Sequence, residues 1–343
     1  MRPGRHNAIT DVEGILVGHC TRDEPGWLTG VTVIVAPVGT SGGVDVRGGG
    51  PGTRETDLLD PRNAVDAIDA VVLSGGSAFG LGTADGVMTE LYAGGRGWRV
   101  GAPHEVVPIV PAAILFDLGR GGPWGHHPGP TEGAAAFRSA RGGPVESGNV
   151  GAGTGAQAGG RRGGIGTASA VLPDGTTVGA LVAVNAVGSP VDPRTGELLG
   201  ARFGLEGEFD GIPSVGAAAA RELAEATTAQ RDLLRAGTAT TIGVLATDAS
   251  LTKAQCQKLA GVAHDGLARA VSPVHTMFDG DTFFALATGS RAAPDPIGLL
   301  DLQEAAAHCV SRAIAHALLA ATAVDRTADG GISLPDWRSL LGP

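Results

Sequence analysis

Apolar residues recur along this chain in two patterns, the short β-branched runs typical of strands and the three-to-four-residue spacing typical of helices. The strand pattern covers residues 31–36, 70–74, 113–118, 168–172, 177–187 and 239–248. The helical pattern covers residues 77–92, 214–234, 253–268 and 300–322. The turn sequence Pro173-Asp174-Gly175 joins two of the strands and predicts a hairpin.

The order of these elements indicates the fold class. Strands and helices come in groups rather than in regular βαβ alternation, and the helices at 214–234 and 300–322 are rich in Ala on nearly every face. Helices with small side chains pack closely on a sheet, which favours an α+β fold, an αββα layered sandwich. No long linker divides the 343 residues, so we expect a single domain.

Composition narrows the class of protein further. A hydrophobic content of 43% is enough for a sizeable core and excludes general disorder. The net charge of −10 makes nucleic acid and anionic membranes unlikely partners, because both require a basic surface. The N-terminus has no apolar signal core and no segment approaches a membrane span, so we expect a cytoplasmic enzyme. Cys256 and Cys309 lie in helical patterns and are predicted to be buried, without a disulfide framework.

The strand at 239–248 begins in an unusual way. It follows Ala236-Gly237 and opens on Thr240 and Thr241. A hydroxyl at the first position of a buried strand is where a self-cleaving hydrolase keeps its nucleophile. If the bond before Thr240 breaks, a free amine with a pKa of about 7.7–8.0 stands beside that hydroxyl as a general base. The alternative is that both threonines are ordinary strand residues.

Three other polar features are candidates for chemistry. Asn185 interrupts an apolar strand, and its amide is either bonded across the sheet or an oxyanion-hole donor. Asp279 and Asp281 flank a glycine just before a strand, where such a pair forms a solvated turn or orients a catalytic group. No third ligand stands at metal-binding spacing, so no metal site is predicted.

Gly75-Gly76-Ser77 joins a strand to a helix without the spacing of a nucleophile elbow. We expect a structural turn there, with Ser77 capping the helix and the backbone available to line a pocket.

Two further segments are poor candidates. The glycine-rich run at 148–156 lacks the following helix of a dinucleotide loop, and no Walker-type sequence occurs. His126, His127 and His264 have no companions that would make a site.

Taken together, the ordered segments of this chain resemble the DmpA-type L-aminopeptidase/D-esterases, a family that includes β-peptidyl aminopeptidases and the nylon-oligomer hydrolase. The segments that carry the resemblance are 9–12, 17–19, 43–49, 73–76, 151–155, 163–166, 184–185, 240–248 and 279–282. They extend over almost the whole chain.

The resemblance implies an N-terminal-nucleophile-like sandwich made as one precursor. The precursor would cut itself between Ala239 and Thr240 into an α-chain, residues 1–239, and a β-chain, residues 240–343. The two would stay together and form a homo-oligomer, a tetramer of αβ heterodimers. Thr240 matches the nucleophile, Asn185 the oxyanion-stabilising amide, and Asp279 with Asp281 the pair that positions the nucleophile and the substrate amine. The substrates would be small peptides, amides or esters, and no cofactor is expected.

Three positions depart from the family pattern. Ala239 stands where many members have Asn or Gly, which makes strained geometry at the scissile bond less accessible. Phe116 stands where some members have a Tyr hydroxyl, and Arg162 replaces a Lys. With Gly75, Gly76 and Ser77, these two residues are predicted to line the substrate pocket. The competing hypotheses are a scaffold that never cleaves and a protein that binds an anionic small molecule in its glycine-rich loops.

Overall fold

The computed structural model describes residues 1–213, 215–216, 218–223, 225 and 239–341. Ten strands form two five-stranded sheets: β1 (Leu16–Arg22), β2 (Thr29–Val35), β3 (Ser41–Val46), β4 (Thr53–Arg54), β5 (Ala70–Ser74), β6 (Ala112–Ile114), β7 (Gly164–Val171), β8 (Thr177–Val184), β9 (Ile242–Ala249) and β10 (Thr282–Arg291). The α-helices with full bounds are α1 (Thr83–Ala93), α2 (Pro130–Arg138), α3 (Lys253–Ala270) and α4 (Pro296–Ala320). Three two-stranded ribbons lie outside the sheets, at Trp98–Arg99 with Val106–Val107, Gln157–Ala158 with Arg161–Arg162, and Val324–Asp325 with Ser333–Leu334.

The two sheets have different strand orders. The first sheet runs β1-β2-β5-β6-β4 and the second runs β7-β8-β9-β10-β3. In the second sheet β9 pairs antiparallel with β8 and parallel with β10. The N-terminal end of β9 therefore lies between the C-terminal end of β8 and the N-terminal end of β10, and this edge carries the candidate site.

The sheets and helices form four layers. The middle core joins the two sheets through residues such as Ile34 and Val71 on one side and Val244 and Phe284 on the other. Helices α1 and α2 cover the outer face of the first sheet, and α3 and α4 cover that of the second. A Cβ at Gly166 in β7 would overlap the backbone of α4, which shows how closely the Ala-rich helix approaches the sheet. The predicted αββα sandwich is confirmed.

Most predicted elements are present with shifted ends. Strands β7 and β8 form the predicted hairpin, with Ala170 opposite Val178. The run at 113–118 is a strand only as far as Ile114. Helix α4 starts before the predicted 300 because Asp295 accepts the Gly298 N–H at 2.7 Å and caps the helix. Strand β9 starts at Ile242, two residues after Thr240.

The helix predicted for 77–92 begins differently. Residues Ser77–Gly82 form a 3₁₀ helix, and the α-helix starts only at Thr83. The prediction that Ser77 caps a helix is wrong: Gly76 is the N-cap, with φ of 84°, and Ser77 follows with φ of 51°. Two left-handed residues in succession form a tight turn instead of the extended approach of a side-chain cap. The helix predicted at 214–234 lies largely outside the described residues.

Burial agrees with two further expectations. Cys256 and Cys309 are buried and both thiols are free. Across the part of the chain that the structure describes, no helix combines the length and the apolar character that crossing a bilayer requires.

Candidate active site

The register of the second sheet places Asn185 directly opposite Thr240. Strands β8 and β9 pair antiparallel with Ala183 opposite Ile242, and two residues further along the Thr240 N–H donates to the Asn185 carbonyl at 2.5 Å. Ala183 and Ile242 both face the core between the sheets. Because side chains alternate along a strand, those of Asn185 and Thr240 also point to that side and are cross-strand neighbours.

Gly280 lies on the other side of Thr240. The parallel pairing of Ile242 with Thr282 continues backwards to place Gly280 beside Thr240. A Cβ at Gly280 would lie 2.7 Å from Thr240 Oγ1, so only glycine leaves room for the hydroxyl. The Gly280 N–H donates to the Ala239 carbonyl at 3.1 Å, and Thr240 Oγ1 donates to the same oxygen at 2.5 Å.

The peptide bond between Ala239 and Thr240 is thus held at both of its polar atoms. Its N–H is bound by the Asn185 carbonyl and its C=O by the Gly280 N–H. Ala239 and Thr240 are 3% and 2% exposed, so bulk water is excluded from the bond. A backbone N–H aimed at a carbonyl oxygen is the arrangement that stabilises a negative charge developing on that oxygen.

The amide of Asn185 is oriented by three contacts. Its Oδ1 accepts from Arg120 Nη1 at 2.6 Å and from the Gln157 N–H at 3.1 Å. Its Nδ2 donates to the Phe116 carbonyl at 3.3 Å. The side chain is fully buried, and these hydrogen bonds offset the free-energy cost of removing its amide from water.

Asp279 and Asp281 bind the backbone around the strand start. Asp281 Oδ1 accepts the Thr241 N–H at 2.8 Å, and its Oδ2 accepts both the His275 N–H and His275 Nδ1. Asp279 accepts the Val187 N–H at 3.3 Å with one oxygen and the Thr276 N–H and hydroxyl with the other.

Asp281 therefore fixes the residue after Thr240, and Asp279 binds the segment that follows Asn185. Within the described residues, none of their hydrogen bonds goes to Thr240 Oγ1. Burial raises the pKa of Asp279, and the neighbouring charge of Asp281 adds to the increase, against the hydrogen bond from Thr276.

Four of the predicted pocket residues contact or belong to the loop at 115–117, which also binds Asn185: Gly75, Gly76, Ser77 and Phe116. Phe116 supplies its carbonyl to the Asn185 amide, and the next residue, Asp117, accepts the Gly76 N–H at 2.7 Å. A Cβ at Gly75 would overlap the Asp117 carboxylate. The Ser77 N–H donates to the Leu115 carbonyl at 3.0 Å, which ties the turn to the same loop.

Arg162 is buried against the glycine-rich run at 148–156. Its Nε donates to the Thr322 carbonyl and its Nη2 to the Thr154 carbonyl at 2.8 Å. Burial lowers its pKa to about 10, and the positive charges of Arg120 and Arg326 add to the decrease.

A cavity of about 690 Å³ opens beside Asp279. Val187 and Thr276, which bind the two oxygens of Asp279, are part of its wall, together with Asp192 and Phe278. None of the five residues predicted to line a pocket lines this cavity.

Sequence reasoning missed three contributors. Gly280 was passed over as part of a turn, although a glycine between two acids at a strand start is a signal of close backbone approach. Arg120 stands among glycines in Gly119-Arg120-Gly121-Gly122, and its burial is seen only in the structure. His275, with φ of 56°, is bound to Asp281 and offered no signal in the sequence.

Comparison with known proteins identifies the family of this chain. The model of Peptidase family S58 matches residues 7–330. The chain belongs to this family. It is 48% identical over 354 aligned positions to an uncharacterized aminopeptidase of Mycobacterium tuberculosis, covering 98% of both chains. It is 29% identical over 305 positions to the 6-aminohexanoate-oligomer endohydrolase of Paenarthrobacter ureafaciens, covering 86% of this chain and 79% of that protein.

Solved structures of the same fold are also similar. A β-aminopeptidase of Burkholderia sp. superposes with a TM-score of 0.73 at 28% identity, over 99% of this chain and 93% of that one. The L-aminopeptidase D-Ala-esterase/amidase of Ochrobactrum anthropi, described as a variant of the Ntn hydrolase fold, gives 0.73 at 25% identity, over 99% and 94%. The S58 chain described here is therefore a peptidase or amidohydrolase with an Ntn-hydrolase fold, and the predicted family, fold class and enzyme class are confirmed.

Proposed function

We propose that this S58 enzyme is a self-processing aminopeptidase whose nucleophile is Thr240. The observation that supports it most is the peptide bond before Thr240, buried and bound at its carbonyl by the Gly280 N–H with the Thr240 hydroxyl in contact. The hydroxyl also lies close to Gly280, where a Cβ would stand 2.7 Å from Oγ1. The products of processing are an α-chain of residues 1–239 and a β-chain of residues 240–343 within one domain.

Self-cleavage proceeds by an N-to-O acyl shift. Thr240 Oγ1 attacks the Ala239 carbonyl carbon, and the Gly280 N–H stabilises the oxyanion that forms. The C–N bond breaks as the nitrogen takes up the proton that Oγ1 has lost, which leaves Ala239 as an ester on Oγ1 and frees the α-amine of Thr240. Water then hydrolyses the ester, releasing the Ala239 carboxylate and the free hydroxyl.

Turnover uses the groups that processing creates. The neutral amine takes the proton of Oγ1 while that oxygen attacks the substrate carbonyl, and the Asn185 amide with backbone N–H groups stabilises the oxyanion. The leaving amine or alcohol departs, and water hydrolyses the acyl-enzyme. The amino end of a small peptide, amide or ester enters the cavity whose wall includes Val187 and Thr276, the residues that bind Asp279. As the family resemblance implies, the working form is a tetramer of αβ heterodimers, and we place it in the cytoplasm as the sequence predicts.

Denaturing electrophoresis of the purified protein tests this proposal directly. Processing gives two chains of about two-thirds and one-third of the total mass. N-terminal sequencing of the smaller chain reads Thr-Thr-Ile-Gly-Val. A single full-length chain without activity on aminoacyl anilides or esters would identify a non-cleaving scaffold. A single chain that binds inorganic phosphate would identify an anion-binding protein.

The substitution Gly280→Ala tests the space around the hydroxyl. The new Cβ would lie 2.7 Å from both Thr240 Oγ1 and the Gly50 carbonyl, so either the hydroxyl or residue 280 with its N–H must shift relative to the Ala239 carbonyl. We expect processing to slow by about 10-fold to 100-fold, the usual effect of displacing a reacting group by about 1 Å. The rate is measured by following the loss of the full-length band after expression. Gly82→Ala, at a site with nothing within 4 Å, is the control, and equal rates for the two variants would contradict the assignment.

The pH dependence of turnover tests the base. The amine acts only when neutral, so activity should rise with pH through its pKa, about 7.7–8.0 in an unperturbed chain. Burial lowers this pKa and the charges of Asp279 and Asp281 raise it, which places the rising limb between about pH 6 and 9. In fully processed Asp279→Asn the limb should move to lower pH, because one negative charge that favours the ammonium is gone. If the rising limb of the pH profile stays in place in Asp279→Asn, Asp279 does not influence the pKa of the Thr240 amine.

Chelators should leave that activity unchanged. The oxygens of Asp279 and Asp281 already accept N–H and O–H donors, and within the described ranges no group of three or more His, Cys, Asp or Glu is placed to hold a metal ion. If EDTA abolishes the activity and Zn²⁺ or Mn²⁺ restores it, Asp279 and Asp281 would instead be assigned as metal ligands.

A further inference from the structure

The orientation of the Asn185 amide depends on a buried guanidinium. Two donors, Arg120 Nη1 and the Gln157 N–H, point at one end of the amide, and one acceptor, the Phe116 carbonyl, lies at the other. Only the orientation with oxygen toward Arg120 satisfies all three contacts, since the flipped amide would set its NH₂ against two donors. The nitrogen therefore donates to the Phe116 carbonyl and keeps a second N–H for another acceptor.

Arg120 is itself held in a fixed position. Its side chain is buried, and its Nη1 also donates to the Gly155 carbonyl at 2.6 Å. A Cβ at Gly121 or at Gly155 would overlap neighbouring backbone, so the segments on both sides of the guanidinium are tightly packed. Burial lowers the pKa of Arg120 to about 10, against the charge of Asp117, and the group stays cationic at neutral pH.

We propose that Arg120 is a positioning residue for substrate turnover, acting through the Asn185 amide. A cationic donor at 2.6 Å from Oδ1 fixes the plane of the amide and polarises it, which strengthens the Nδ2–H as a donor. This inference rests on the proposed role of Asn185 as the oxyanion donor.

The same geometry separates turnover from processing. In the uncleaved chain the Ala239 carbonyl is bound by the Gly280 N–H, and the part of Asn185 that contacts the scissile bond is its backbone carbonyl. The side-chain amide, and with it Arg120, therefore belongs to turnover and not to self-cleavage.

A double-mutant cycle tests the proposal. Arg120→Met removes the charge at similar length, Arg120→Lys keeps the charge without the planar fork, and each is also made in an Asn185→Ala background. For Arg120→Met we expect complete processing and a kcat lower by about 10-fold to 100-fold, with KM changed less. Arg120→Lys should recover part of the loss. In the Asn185→Ala background the Arg120 substitutions should cost nothing further.

The control is Arg161→Met, another buried arginine, whose Nη1 binds the Asp336 carbonyl and the Ser339 hydroxyl. It removes a buried guanidinium without touching Asn185, so its kcat should match the parent. Equal losses of kcat from Arg120→Met in both backgrounds would overturn the proposal, because a structural role is independent of the amide. So would a failure of Arg120→Lys, the more conservative change, to fold or process.

The outcomes also distinguish this inference from the function on which it rests. If Asn185→Ala alone leaves turnover unchanged, the oxyanion role of Asn185 fails. If Asn185→Ala lowers turnover and Arg120→Met and Arg120→Lys do not, only the role of Arg120 fails.

Discussion

Thr240→Ala should yield a folded precursor that remains a single chain and has no hydrolytic activity. The change removes the oxygen that attacks the Ala239 carbonyl, and without it neither the acyl shift nor the acyl-enzyme can form. The fold should persist because the Thr240 N–H and the Ala239 carbonyl, which anchor this segment to Asn185 and Gly280, are backbone groups that the substitution leaves in place. Electrophoresis, a thermal melt and an anilide assay on the purified variant measure the three properties.

The neighbouring threonine provides the matched control. Thr241 is also buried, and its Oγ1 has no hydrogen-bond partner among the residues that the structure describes. Thr241→Ala should therefore process and turn over like the parent, because no reacting group is lost. Cleavage of the Thr240→Ala chain between residues 239 and 240 would refute the mechanism. If only the Thr241→Ala variant stays uncut, the nucleophile would be Thr241 instead.

Asn185→Ala should lower kcat on amide substrates by about 10²–10³, the usual cost of one oxyanion-hole donor. Processing should continue, because the carbonyl attacked in that step is bound by the Gly280 N–H. The measurement pairs kcat of the processed enzyme with the fraction of full-length chain. Asn149→Ala serves as control: it removes another amide, one that binds the Gly163 carbonyl and the Thr322 N–H away from the nucleophile.

Two results would change the assignment of Asn185. Near-parental kcat would leave its side chain with a structural role. A block in processing together with turnover would mean that the amide also serves the scissile carbonyl, against the hydrogen bonds seen in the uncleaved chain.

The sequence by itself determined the layered fold and the strand that follows Thr240. These features depend on local information: apolar period, the Pro173-Asp174-Gly175 turn, and Ala-rich helices that can approach a sheet closely. The ends of elements were less predictable, because a cap such as Asp295 or the successive left-handed residues Gly76 and Ser77 decide them.

Only the tertiary structure decided which polar groups meet. Thr240, Asn185 and Gly280 come from separate segments of the sequence, and the pairing register of β8, β9 and β10 alone makes them neighbours. A shift of one residue would turn each side chain to the opposite face of the sheet. The contact of Arg120 with Asn185 joins a loop of the first sheet to a strand of the second. No period or spacing encodes such a contact, because packing between layers creates it.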